Sequence, residues 1–230
     1  MEFQKLRHSL YGLYSLHTWL CRLSNPTGRV LGVEHLAKVV RWARSHGAVV
    51  ASDECYAELG WTGADVPSVL DPRVCGGSHD GLLAVYSASK QSNLAGYRAA
   101  FVAGDPALVR GLLEVRKHAG MIVPRPVQEA LRVALSHDQH VAEQRERYRS
   151  RRAVVRAALD AAGFRVDHSE AGLYLWATRG EPCWDTVRSL ADRGVLVAPG
   201  EFYGAAGAQH VRLALTASDA ALATLAARLA

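Results

Sequence analysis

The chain has 230 residues, of which 49% are hydrophobic and 21% charged, with a formal net charge of +5. That balance excludes a disordered chain, and no apolar run approaches the roughly 18–20 residues of a membrane span. The basic excess favours anionic ligands, but it is too diffuse to argue for nucleic acid by itself.

The four cysteines (Cys21, Cys55, Cys75 and Cys183) stand far apart, and no two have C-x-x-C spacing. Neither a zinc site nor a disulfide framework is expected, and a reducing, cytoplasmic setting fits. Met1–Leu23 reads MEFQKLRHSLYGLYSLHTWLCRL. A secretory leader needs an uninterrupted apolar stretch, and here Arg7, His8, His17 and Arg22 break every one. The segment has weak helical periodicity, and Leu20–Leu23 makes a poor strand. It is expected to be irregular, non-native in origin, or the mark of a truncation.

Beyond it, strands and helices alternate. Val33, Leu36, Ala37, Val39, Val40 and Ala43 recur at helical spacing, and Gly47 ends that helix. Ala48–Ser52 and Leu82–Tyr86 are short apolar runs without alternation, as in a parallel strand buried on both faces. Ala99–Ala103 is a third strand. Asp105-Pro106 caps a helix that runs to about His118. Pro124 and Pro126 mark a break before a long helical stretch. Its Glu143–Arg156 part, crowded with Arg and Glu, reads as a solvated helix linking two lobes. Strands follow near Phe164–Asp167, Leu173–Ala177, Val195–Val197 and Val211–Leu215, with a helix over Trp184–Arg193 and a last helix capped by Ser218. The expected fold class is α/β, a mostly parallel sheet with helices followed by a smaller α+β lobe. The expected divisions are 1–23 irregular, 24–123 a partial large domain, 124–158 an interdomain helical region, and 159–230 a small domain.

In open α/β sheets ligands bind beyond the carboxyl ends of the strands. Asn25, Asp53, Tyr56, Lys90 and Arg98 all fall at predicted strand ends, on one edge of one sheet. They supply an amide, a carboxylate, a phenol, an amine and a guanidinium. Each is unremarkable alone; together they are the inventory that holds a phosphorylated pyridine aldehyde. His137 and His140 lack an accompanying carboxylate pattern and read as surface histidines, so no metal is expected. Gly76-Gly77-Ser78 does not follow a strand and open a helix as a phosphate loop does.

Three motifs, S-N-P-T-G (Ser24–Gly28), D-E-C-Y (Asp53–Tyr56) and S-A-S-K-Q-S-N-L-A-G-Y-R (Ser87–Arg98), resemble the fold-type-I aminotransferases of classes I and II, which depend on pyridoxal 5′-phosphate. Their order and spacing match as well, and the likeness runs from Ser24 to the C-terminus. The resemblance implies that Lys90 condenses with the cofactor aldehyde and later serves as general base. It implies that Asp53 keeps the pyridine nitrogen protonated, the condition for an electron sink. Tyr56 and Asn25 would hydrogen-bond the ring 3′-oxygen. Ser87, Ser89 and Arg98 would hold the phosphate. Arg212 matches the small-lobe arginine that clamps a substrate carboxylate, and the Asn25-Pro26 bond is a candidate for the cis form.

The stretch around Lys90 is most similar to succinyldiaminopimelate aminotransferases of lysine biosynthesis. That implies N-succinyl-diaminopimelate and 2-oxoglutarate as substrates of a cytoplasmic homodimer, with neither nucleic acid nor membrane as partner. A pyridoxal-phosphate C–S lyase shares most of this site, and an inactive truncated remnant is a further alternative. Gly172 and Pro199–Gly204 resemble small-lobe elements of the family, with simple turns as the alternative. Family members carry a long segment before N-P-T-G with a phosphate loop and a ring-stacking aromatic, and nothing in Met1–Leu23 resembles it. The chain made alone is therefore expected to be poorly stable or to oligomerise.

Overall fold

The computed structural model describes residues 17–21, 23–61, 63 and 66–230. Residues 1–16, the larger part of the stretch expected to be irregular, lie outside them. The chain divides into two compact units. The first takes 1–22, 31–57 and 66–136; the second takes 23–30, 58–65 and 137–230. The first boundary differs from expectation, because the S-N-P-T-G loop belongs to the second unit.

The first unit holds one four-stranded sheet made of β1 (His17–Cys21), β2 (Val49–Asp53), β3 (Leu82–Ser87) and β4 (Ala100–Gly104), in that spatial order. β1 therefore forms where an irregular segment was expected. Among the described residues β1 pairs on one side only, with β2, so it needs less of the apolar composition that Leu20–Leu23 lacks, and Trp19 there is 63% exposed. β1, β2 and β3 are parallel, with Cys21 opposite Asp53 and Asp53 opposite Val85. β4 is antiparallel to β3, with Ser87 opposite Ala100. The segment between them holds the one-turn helix α3 (Ala88–Gln91) and a 3-10 turn at Ala95–Tyr97, together too short to carry the chain back for a parallel crossover.

Helix α1 (Val33–Ser45) lays Leu36, Val40 and Ala43 on Val50, Leu82 and Ala84. Val69, Val74 and Cys75 close the same core, the last two on helix α2 (Pro72–Cys75). α1 ends in a Schellman turn: Ala48 N–H donates to Ala43 O at 2.8 Å and Gly47 N–H to Arg44 O at 3.3 Å, with Gly47 at φ +61°. Helix α4 (Pro106–His118) starts on Asp105, whose Oδ1 accepts from Ala107 N–H at 2.8 Å. Its Oδ2 accepts from Gly81 N–H at 2.9 Å. Helix α5 (Arg125–Leu135) follows, and neither α4 nor α5 has a buried residue.

The second unit begins its main body with α6 (Gln139–Ala161). The stretch expected to link two lobes is thus two helices broken at 136–138, and the longer one is part of this unit. Its sheet contains β5 (Arg165–Asp167), β6 (Tyr174–Thr178), β7 (Ala198–Pro199) and β8 (Val211–Ala214), in the order β5-β6-β8-β7 and antiparallel throughout. The strand expected at Val195–Val197 does not pair; Leu196 is 92% exposed, and pairing starts at Ala198. Helices α7 (Cys183–Asp192), α8 (Asp219–Ala223) and α9 (Leu225–Leu229) complete the unit. Ser218 caps α8 as expected. The largest fully buried side chains are Val155, Leu159, Leu175, Leu190, Val211 and Leu215. At the sheet edge the Arg165 guanidinium bonds Asp167 at 2.6 Å and His210 Nε2 lies 2.9 Å from its other oxygen, so the Asp167 carboxyl is held down at about 2, chiefly by the arginine.

Candidate active site

In the first unit, the topology gathers six of the expected residues at one edge of one sheet. Asp53 is the last residue of β2, and Tyr56 lies in the turn that follows. Ser87 ends β3, Ser89 and Lys90 are on α3, and Arg98 immediately precedes Ala99 and the start of β4. Because β4 is antiparallel, its beginning lies at the same edge as the carboxyl ends of β2 and β3.

Local hydrogen bonds explain the shape of each corner. Cys55 N–H donates to Asp53 Oδ1 at 3.0 Å, a short Asx-type turn that ties the carboxylate to the backbone just past the strand end. Ser87 caps α3: its Oγ accepts from Ser89 N–H at 3.2 Å and donates to Ser89 Oγ at 2.8 Å, so the two hydroxyls are held together. Arg98 has a left-handed backbone, φ 53°, and Asn93 in the same loop has φ 54°. The exposed Arg98 guanidinium donates to Ala95 O at 3.0 Å.

Asp53 and Lys90 both act on Cys55. The half-buried Cys55 thiol is pushed up to about 12, first by burial, then by a hydrogen bond to Asp53 and by the charges of Asp53 and Cys21, with Lys90 opposing. A carboxylate and an ammonium thus act on one thiol from two strand ends. Two buried oxygens next to them in sequence, Ser52 Oγ and Gln91 Oε1, have no hydrogen-bond partner among the described residues. The donor set of carboxylate, amine, paired hydroxyls and guanidinium matches the ring nitrogen, aldehyde and phosphate of pyridoxal phosphate.

The other two expected residues meet in the second unit. Arg212 on β8 donates from Nη1 to Asn25 Oδ1 at 3.0 Å. Its guanidinium lies 3.9 Å from the Tyr174 ring centre and 5.0 Å from that of Tyr203. Arg212 Nε is buried without a hydrogen-bond partner among the described residues. The Asn25-Pro26 peptide is cis. Tyr174 and Tyr203 were missed as neighbours of Arg212. The signal for Tyr174 was available: Tyr174 and Trp176 alternate on β6, and Trp176 is the strand partner of Arg212. Among the described residues no three His, Cys, Asp or Glu side chains are grouped to hold a metal, and no helix is long and apolar enough to cross a membrane.

The family model for aminotransferase classes I and II matches residues 18–229. The chain belongs to this family. It is 63% identical over 211 residues to the 4-dedimethylamino-4-oxo-anhydrotetracycline transaminase OxyQ of Streptomyces rimosus, covering 92% of this chain and 58% of that protein. It is 64% identical over 206 residues to a probable aminotransferase of Mycobacterium tuberculosis, covering 90% of this chain and 49% of the other. A crystal structure of an aminotransferase from Neisseria meningitidis superposes with a TM-score of 0.85 at 31% identity, over 93% of this chain and 56% of that one. The chain therefore spans about half the length of the aminotransferases it matches, and its fold is that of fold-type-I members.

Proposed function

We propose that this chain carries the pyridoxal-phosphate residues of an aminotransferase that moves an amino group between an amino acid and a 2-oxo acid. The observation that carries the reading is the placement of Asp53 and Lys90 at adjacent strand ends, close enough to act on the same Cys55 thiol. When bound, the cofactor supplies an electron sink for negative charge at the substrate Cα. In this reading Asp53 holds the proton on the ring nitrogen. Lys90 would hold the cofactor through its side-chain amine and would move a proton at the substrate Cα. Ser87, Ser89 and Arg98 hold the phosphate through hydroxyl and guanidinium donors. Tyr56 and Asn25 donate to the 3′-oxygen, and Arg212 takes the substrate α-carboxylate.

The finer reading is N-succinyl-diaminopimelate with 2-oxoglutarate, supported by the sequence around Lys90, in a cytoplasmic homodimer. The name of the relative in Streptomyces rimosus supports a second one, a polycyclic ketone as amino acceptor. The test is a titration of the purified chain with pyridoxal phosphate, read by the visible absorbance of lysine-bound cofactor. The band is expected in the native chain and absent in Lys90→Ala. Donor amino acids should then bleach it with release of a 2-oxo acid, and the two acceptor classes should be compared in the reverse half-reaction. No band in the native chain, or an unchanged band in Lys90→Ala, overturns the reading.

A further inference from the structure

The Asn25–Arg212 contact depends on a loop with no regular structure of its own, and the second unit shows what holds that loop. Ser24–Gly28 closes on itself through Gly28 N–H to Ser24 O, at 2.7 Å. Its outer side docks on residues 168–171. Ser169 N–H donates to Thr27 O at 3.1 Å, and Glu170 and Ala171 N–H both donate to Gly28 O at 2.9 Å. Glu170 Oε2 accepts from Val30 N–H at 2.9 Å. The approach is so close that a Cβ on Gly28, itself at φ +71°, would lie 2.6 Å from Ala171 O.

The docking segment is strained. His168 and Ser169 have φ of 59° and 73°, a left-handed pair without glycine, and such residues persist only where their surroundings hold them. What holds this pair is Arg152. Its Nε donates to Ser169 Oγ at 3.0 Å and its Nη2 to Ser169 O at 2.7 Å, and Ser169 is fully buried. Arg152 stands on the inward stripe of α6 with Val141, Tyr148, Val155 and Leu159. Arg145 lies on that stripe too and donates to Gly60 O at 2.9 Å, and Gly60 bridges to Ala171. Two arginines at the core-facing positions of a helix thus hold the backbone of 168–171, on which the Asn25 loop docks, one directly and one through Gly60.

We propose that Arg152 is a positioning residue for the substrate: through the left-handed Ser169 it fixes the Thr27–Gly28 backbone, and so keeps Asn25 against Arg212. The proposal rests on Arg212 as the carboxylate ligand, but the latch itself can be read without activity. Hydrogen exchange of the chain should show Arg152→Ala speeding exchange in 24–30 and 168–172 about ten-fold, with β6 and β8 unchanged. Arg152→Lys, which keeps one donor for Ser169 O, should recover much of that protection. In the cofactor-loaded chain, Arg152→Ala should raise the KM for the amino acid about ten-fold with kcat little changed. Asn25→Ala should raise it similarly, and the two together should not add.

Unchanged exchange in 24–30, or fully additive effects with Asn25→Ala, overturns the proposal. Should Arg152→Ala loosen the whole unit, Ser169→Ala decides, since it removes only the Oγ contact: faster exchange confined to 24–30 and 168–172 supports the latch, and no change there overturns it. If the native chain turns over no amino acid, the functional reading falls while the exchange arm still decides the latch.

Discussion

Cys55 reports on the site better than the residues that define it. Its thiol, pushed up to about 12 first by burial and then by the hydrogen bond and charge of Asp53, carries almost no thiolate at neutral pH. At pH 8 Cys55 is expected to resist alkylation. Asp53→Asn removes the carboxylate charge, which lowers the thiol toward its ordinary value, so alkylation should become faster. Peptide mapping of iodoacetamide-treated protein checks this, and equal rates in the two proteins would mean that Asp53 does not face the thiol. The placement of Asp53, Tyr56 and Lys90 just at or past strand ends was legible in the sequence because each sits in a short linear motif beside a strand. The raised thiol of Cys55 was not, since its burial, the largest cause, and the charges of Cys21 and Lys90 come from segments distant in sequence.

Helix α6 shows where pattern reading misleads. Its stripe of Val141, Tyr148, Val155 and Leu159 is buried, but Arg145 and Arg152 interrupt it, so the segment looks polar on every side. Charged residues at inward positions hide a core face from any hydropathy count, and only their hydrogen bonds to Gly60 and Ser169 explain them. The helix register makes a direct prediction. Leu159→Ala, at a fully buried position, should cost about 2–5 kcal/mol in urea unfolding. Val154→Ala, at a position 48% exposed, should cost about 0.5 kcal/mol or less. Similar losses at both positions would contradict the helix orientation.

At the scale of the molecule, the first unit carries two amphipathic helices without a buried residue. Leu112, Leu113 and Val115 on α4, Met121 and Ile122 after it, and Val133 and Leu135 on α5 are all exposed. A concentration of apolar side chains of this kind drives association in water. The chain is expected to self-associate with rising concentration, and Leu113→Glu combined with Val133→Glu should increase the monomer in sedimentation velocity. A native chain that stays monomeric at every concentration would refute this.

The sequence by itself determined strands β2, β3 and β4 and helices α1 and α4 around the second and third motifs, the edge of the sheet where Asp53 and Lys90 lie, and the family. Those features rest on local signals: apolar runs, caps and short motifs whose residues are neighbours along the chain. Only the tertiary structure decided that the Asn25 loop and α6 belong to the second unit, that β4 runs antiparallel, and that Arg152 reaches Ser169. Each of these depends on contacts between residues far apart in sequence, where backbone hydrogen bonds and loop length, rather than local composition, set the outcome.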